Sequence, residues 1–361
     1  MTIPIDIAEV LAGTRPWAVA CCDNLDLADQ MPDKCVDLVF GSPPYLDART
    51  YGIGFAKRGQ DWVDWMVSMW RHWQRISKGP VCMVVEGRTE DFAYCPAPYL
   101  LAADLYRAGF TLRKPPIYYR HGISGSGGDD WFRNDYEPVI CTTPGGKLAW
   151  SDNTACGHPP KWAPGGAMSH RLPDGSRRNQ WGGSRRDGTG GGQRRKNGER
   201  QKAWRPSWEF PEEPGDEAPD LFGEPAAPEK TKTKNGANGY AGGDMAHDRE
   251  YTPPVLANPG NVVIPPPDSS LVKCKVGGNN MGNKKCHENE APFPEALAEC
   301  FVRSFCPPQG IVFEPFAGSG TTLAVAVRWR RRAVGCDVRQ SQVDLTTRRV
   351  MEETPMMEGM A

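Results

Sequence analysis

The 361-residue sequence predicts an α/β fold, a mostly parallel sheet with helices on both faces. Three observations carry the prediction. Short apolar runs alternate with segments of helical period from residue 17 to about 120, the pattern of strands joined by crossover helices. Two strand-like runs end in turn-forming loops, Ser42-Pro43-Pro44-Tyr45 and Phe316-Ala317-Gly318-Ser319-Gly320, nearly the whole chain apart. Between them lies a long stretch rich in Pro, Gly and charge that interrupts the sheet-forming sequence.

The elements follow in chain order. Trp17–Cys22 reads as a short strand, Leu25–Met31 as a helical turn and Val36–Phe40 as the next strand. From Asp61 to Ile76, the residues Trp62, Val63, Trp65, Met66, Met69, Trp70 and Trp73 recur at helical spacing. They predict an amphipathic helix whose aromatics face a core rather than a ligand. Val81–Val85 is a buried-type strand, Pro98–Ala108 a helix, Phe110–Tyr119 a strand entering a hairpin, and Glu137–Cys141 a further strand. Sheet-forming sequence returns at Gly310–Phe313. A helix from Thr321 to about Trp329, a strand Ala333–Cys336 ending at Asp337 and a helix Ser341–Met351 complete the fold.

Composition sets bounds. A net charge of -1 gives no global attraction to polyanions, so any such binding must come from local clustering. From Met168 to Arg205 there are eleven Lys or Arg against three Asp or Glu; from Glu209 to Glu229 there are eight acidic residues and no basic one. This segregation predicts a basic ligand-facing region followed by an acidic linker. The twelve cysteines form no regular framework and no CxxC pair, so they read as reduced thiols and no metal site is expected, although Cys274, Cys286 and His287, or Cys141, Cys156 and His158, have ligand chemistry. No apolar run approaches membrane-spanning length, which predicts a cytoplasmic protein without a membrane partner.

The glycine loop has the layout for close backbone approach to a ligand at a helix N-terminus. A dinucleotide fingerprint would need glycine where Leu323 stands, and a P-loop would need Lys after Gly320 where Thr321 stands. A cofactor without a pyrophosphate is therefore expected, and S-adenosylmethionine meets that description. Asp337, ending the next strand, can accept bonds from two ribose hydroxyls or cap the following helix. The proline-stiffened loop offers Ser42 Oγ and the Pro43 carbonyl as two acceptors for one amino group, with Tyr45 as a stacking surface; an ordinary strand-ending turn is the alternative.

Together these residues resemble the β-class DNA amino-methyltransferases, in which a catalytic half precedes a recognition region and a cofactor half. The resemblance covers roughly residues 17–142 and 286–350. It implies a Rossmann-like methyltransferase fold with circularly permuted motif order. The implied organisation is a catalytic half at 1–142, a partly flexible recognition insert at 143–285, a cofactor half at 286–352 and a tail at 353–361. It also implies S-adenosylmethionine as methyl donor and double-stranded DNA as substrate. The catalytic set is Ser42, Pro43, Pro44 and Tyr45, with Tyr45 stacking on an extruded base. The cofactor set comprises Asp23, Phe293, Pro294, Glu314, Phe316, Gly318, Gly320, Thr321 and Asp337; Glu314 stands where the family usually has Asp. Segments His287–Pro294 and Asn134–Cys141 resemble family segments on either side of the insert.

The Ser form of the loop is associated in that family chiefly with N4 of cytosine and the Asp form with N6 of adenine, so cytosine is favoured and adenine is the alternative. C5-cytosine chemistry uses a cysteine that follows a proline, and no Pro-Cys dipeptide occurs. Arg177, Arg178, Arg185, Arg186, Arg194 and Arg195, interleaved with Trp181 and Trp204, suit phosphate contacts and stacking. A cognate restriction endonuclease and a monomeric or homodimeric state are compatible with this reading. An RNA or protein-amide methyltransferase and an inactive DNA-binding protein are the competing classes.

Overall fold

The computed structural model describes residues 3–45, 55–120, 131–132, 134–157, 261–263 and 293–354. These belong to one compact unit built from Met1–Pro159 and Leu256–Ala361. The arginine pairs, residues 287–292 and most of the expected insert lie outside the described residues.

The elements in chain order are α1 (Ile5–Ala12), β1 (Trp17–Cys21), α2 (Asn24–Gln30), β2 (Leu38–Gly41), α3 (Gly59–Ile76), β3 (Val81–Val84), β4 (Arg88–Glu90), β5 (Ala93–Cys95) and α4 (Ala97–Arg107). There follow β6 (Thr111–Leu112), β7 (Ile117–Tyr119), β8 (Tyr136–Thr143), β9 (Val262–Val263), α5 (Glu295–Phe305), β10 (Ile311–Glu314), α6 (Thr321–Arg328), β11 (Arg332–Asp337) and α7 (Gln340–Glu353). The main sheet runs β1-β11-β10-β2-β3-β8-β7-β9, with β6 also paired to β8; β4 and β5 form a separate hairpin. Pairings from β1 through β3 are parallel, whereas β8 is antiparallel to β3, β6 and β7.

Alternation along the strands divides the core in two. Val39, Val81, Met83, Phe313 and Val334 pack on one face with residues of α1 to α4. Leu38, Phe40, Cys82, Val84 and Val312 pack on the other with α5, α6 and Val350 of α7. The sheet is thus covered on both sides, as the apolar runs require.

The long aromatic helix forms as its spacing predicts, with Trp62, Trp70 and Trp73 fully buried. The expected strand Phe110–Tyr119 is instead two short pieces, β6 and β7. The interruption falls at Pro115-Pro116, where a proline cannot donate to a ladder. Pro138 is tolerated inside β8, and its carbonyl accepts from Val85 N at 3.1 Å. Helices α1 and α5, the β4–β5 hairpin and strand β9 were not anticipated from the sequence.

Candidate active site at the carboxyl edge of the sheet

Four adjacent parallel strands, β1, β11, β10 and β2, end at one edge. After β10 the chain passes through α6 to β11; after β2 it passes through α3 to β3 on the opposite face. The crevice between β10 and β2 is therefore a topological switch point, the usual ligand position in open α/β sheets. Both loops singled out in the sequence emerge there. Gly41, the last residue of β2, lies so close to Glu314 that an added Cβ would stand 3.4 Å from Glu314 Cγ.

A cavity of about 240 Å³ opens at this edge. Its wall includes Ser42, Pro43 and Pro44 on one side and Glu314, Phe316, Gly318, Ser319, Thr321 and Asp337 on the other, together with Asp23 and Phe293. The two loops, remote in sequence, thus share one pocket. Three expected residues are absent from the wall: Tyr45, Pro294 and Gly320. Pro294 is the residue preceding α5. Gly320 supports the loop from behind, at φ 72, where a Cβ would lie 2.7 Å from Thr346 Cγ2. Tyr45 turns its hydroxyl to Glu137 Oε2 at 2.9 Å.

The glycine loop is tied down on several sides. Asp337 Oδ2 accepts from Gly318 N at 3.1 Å, and its Oδ1 accepts from Arg339 N at 2.9 Å. The helix-cap alternative for Asp337 is not realised: Arg339 occupies the cap of α7 and makes no side-chain cap bond. Thr346 Oγ1 donates to the Gly318 carbonyl at 2.9 Å. Buried Arg349 donates to the Ser319 carbonyl at 3.2 Å and to Thr321 Oγ1 at 2.9 Å, and pairs with Glu295 of α5. Arg328 bonds the other Glu295 oxygen at 2.7 Å.

Glu314 is 2% exposed, and its Oε2 has no hydrogen-bond partner among the described residues. Burial pushes its carboxyl well above the usual carboxylate range, with Thr322 opposing in part. An unpaired buried carboxyl on a cavity wall is a group prepared for a ligand donor or cation. Asp23 caps α2 by accepting from Leu25 N at 2.8 Å.

On the other side, the loop after β2 is held by α3: Trp62 Nε1 donates to the Pro44 carbonyl at 2.8 Å. Tyr45 is half-buried, and desolvation of its hydroxyl, then the charge of Glu137, pushes that group well above the ordinary tyrosine range, while a hydrogen bond from Ser42 pulls the other way. Glu137 is also paired with Arg120 at 2.5 Å. Nearby Glu86 is raised to about 7, chiefly by burial, and accepts from Asn134 Nδ2 at 3.0 Å.

Sequence reasoning missed Trp65, Phe55 and Lys57, which also line the cavity. The assignment of the α3 aromatics to the core holds for Trp62, Trp70 and Trp73. Trp65 departs from it: half-buried, it packs against Phe55 at 5.0 Å and Phe316 at 6.0 Å. Standing three residues from Trp62 and four from Met69, it flanks the same helical stripe, and its spacing gave no signal that sets it apart. Glu137 and Arg120 carried no motif and could not be connected to Tyr45 without the antiparallel placement of β7 and β8.

Comparison with known proteins identifies the family and a similar fold. Residues 36–348 match the N6_N4_Mtase family model, described as DNA methylase. Over 63 residues the chain is 35% identical to the type II methyltransferase M.ScaI of Streptomyces caespitosus, covering 18% of this chain and 21% of that protein. It is 35% identical over 68 residues to the orphan methyltransferase M.BamHII of Bacillus amyloliquefaciens, covering 19% and 26% respectively. The matches thus span about a fifth to a quarter of these relatives' lengths. The fold is similar to that of the PvuII DNA methyltransferase (cytosine-N4-specific), with a TM-score of 0.53 and 15% identity over 96% of this chain and 88% of that one.

Proposed function

Because the chain belongs to the N6/N4 DNA methylase family, we propose that it methylates the exocyclic amine of a base extruded from double-stranded DNA, with S-adenosylmethionine as donor and N4 of cytosine as favoured acceptor. One observation carries the reading: Ser42 and Pro43 share a cavity wall with Glu314, Gly318 and Asp337. A base presented to the first pair therefore faces whatever the second set binds.

The residues fit the cofactor. The glycine loop keeps its backbone clear of side chains, and Gly320 sits where a Cβ would collide with Thr346. Asp337 retains acceptor capacity on the wall for a ribose diol. Phe293 and Phe316 give it apolar surfaces, fixed by Phe40 and Trp73 respectively. The unpartnered Glu314 oxygen suits an ammonium group. When bound, S-adenosylmethionine supplies a methyl group on a positively charged sulfur, whose C–S bond breaks with its electrons returning to sulfur.

The protein's work is alignment. An exocyclic amine is a weak nucleophile because its lone pair is delocalised into the ring. Ser42 Oγ and the Pro43 carbonyl accept its two N–H bonds and turn the lone pair into the cavity. As the N–C bond forms the nitrogen becomes cationic and strongly acidic, and its surplus proton is released to solvent water. Trp62, holding the Pro44 carbonyl, keeps the loop from relaxing.

The serine at position 42 favours cytosine, since it is the family form associated chiefly with N4 chemistry. Labelled-methyl transfer to unmethylated mixed-sequence DNA, followed by mass spectrometry of nucleosides, tests both levels. N4-methylcytosine is expected. N6-methyladenine alone would overturn the base assignment, and label entering RNA or protein but not DNA would overturn the substrate class. Ser42→Ala should lower turnover by roughly ten- to a hundredfold, the value of a hydrogen bond made in the transition state, with cofactor affinity within about twofold.

A further inference from the structure

A serine hydroxyl is an ambiguous group. It accepts an amine N–H only if its own hydrogen points elsewhere; turned into the cavity, that hydrogen would oppose the amine. The aspartate found in many relatives of the loop has no such ambiguity, because an ionised carboxylate only accepts. Something in this chain must therefore orient Ser42.

The surroundings of Tyr45 supply the means. Glu137 at the start of β8 is 4% exposed, and its two carboxylate oxygens are engaged separately: Oε1 by Arg120 at 2.5 Å and Oε2 by the Tyr45 hydroxyl at 2.9 Å. Arg120 is itself largely covered, at 14% side-chain exposure. Arg120 can only donate, so Glu137 can only accept, and the single hydrogen of Tyr45 is committed to Glu137. The Tyr45 oxygen is then left as an acceptor, and Ser42 hydrogen-bonds toward it.

We propose that Glu137, fixed by Arg120, sets the direction of a hydrogen-bond chain through Tyr45 that leaves Ser42 Oγ as an obligate acceptor for the target amine. Glu137 and Arg120 are positioning residues in this scheme, since neither lines the cavity. The inference rests on the proposed function and adds to it the reason a serine can stand in that loop.

The test compares wild type, Tyr45→Phe, Glu137→Gln and the double variant, each as the full chain, by methyl transfer to unmethylated mixed-sequence DNA and by calorimetric titration with S-adenosylmethionine. Tyr45→Phe keeps the ring and cuts the chain; Glu137→Gln can donate and so loses the fixed direction. Each single change should lower kcat by roughly ten- to a hundredfold, as loss of a hydrogen bond to a charged group does. Cofactor affinity should stay within about twofold, and the double variant should be no worse than Tyr45→Phe. Full turnover in Tyr45→Phe overturns the inference, as does a double variant in which the two losses multiply, because Glu137 would then act by another route. If Glu137→Gln does not fold, Tyr45→Phe decides alone. A wild type that transfers no methyl group to DNA defeats the functional reading itself, which is a different result from an active wild type and an unimpaired Tyr45→Phe.

Discussion

Arg349 is the side chain whose loss should reveal most about how the cofactor loop is held. Its guanidinium lies on α7 at 3% side-chain exposure, yet it reaches the Ser319 carbonyl and Thr321 in the glycine loop and Glu295 on α5. Arg349→Met keeps much of the volume and removes every one of these bonds. Deleting one partner of a buried ion pair costs about 3–5 kcal/mol, because the other charge is left uncompensated. Glu295 retains Arg328 at 2.7 Å, which places the expected loss near the lower bound, about 3 kcal/mol. For a domain of this size that is roughly 6–12 °C in Tm. Acid should shrink the difference. Burial alone would raise the Glu295 carboxyl, but hydrogen bonds and charge from Arg328 and Arg349 outweigh it and hold it below its ordinary 4.5. A depressed carboxyl stabilises the fold above its unfolded value, and that contribution is lost as pH falls through the lowered folded value. The gap between wild type and variant, followed by circular dichroism melting, should therefore narrow as pH falls below 4.5. A Tm change under about 2 °C at pH 7, or a gap that persists unchanged into acid, would refute the reasoning.

Three further outcomes are expected. Gly320→Ala should cost about 2–4 kcal/mol, since φ 72 disfavours a side chain and the new Cβ would meet Thr346; melting and cofactor titration should both register it. Binding of S-adenosylmethionine should be coupled to proton release, because burial raises the Glu314 carboxyl and an ammonium partner would lower it; calorimetry in buffers of different ionisation enthalpy measures this, and Glu314→Gln should abolish it. Glu86→Gln should raise Tm at pH 8 and leave it unchanged near pH 4. A carboxyl raised to about 7 favours the folded state fully below its unfolded value and loses that benefit as pH rises through 7, by at most about 3 kcal/mol before solvent screening.

Much of the fold was legible because the strands of a doubly covered sheet are continuous apolar runs, and β2, β3, β10 and β11 lie where those runs were. The β6–β7 break is legible in principle from Pro115-Pro116, although apolar residues stand on both sides of it. Helix α5 was missed although Leu297, Ala298, Phe301 and Val302 are buried at helical spacing; it follows directly on a long polar stretch that gave no signal of where order resumes. At the site, Ser42, Pro43, Glu314, Gly318 and Asp337 were readable because each has a local grammar, a strand followed by a turn or glycine loop. Trp65, Arg349, Glu137 and Arg120 were not. Their roles depend on which elements become neighbours across the sheet, and no spacing in one segment encodes that.

The order β1-β11-β10-β2 also bears on how the molecule comes into being. The first two strands to be synthesised are not partners; they are separated by the width of the last two. Until residue 337 is available, the growing chain carries a gap of two strands at the middle of its sheet, with unsatisfied backbone on both lips. Assembly must wait for the carboxyl-terminal segment to be threaded in, which is a slow, long-range closure exposed to misassociation. The same interleaving makes the protein a natural candidate for fragment complementation. Two polypeptides divided between β8 and α5 would each be incomplete alone, and their meeting would restore the central strands and both walls of the pocket in a single event.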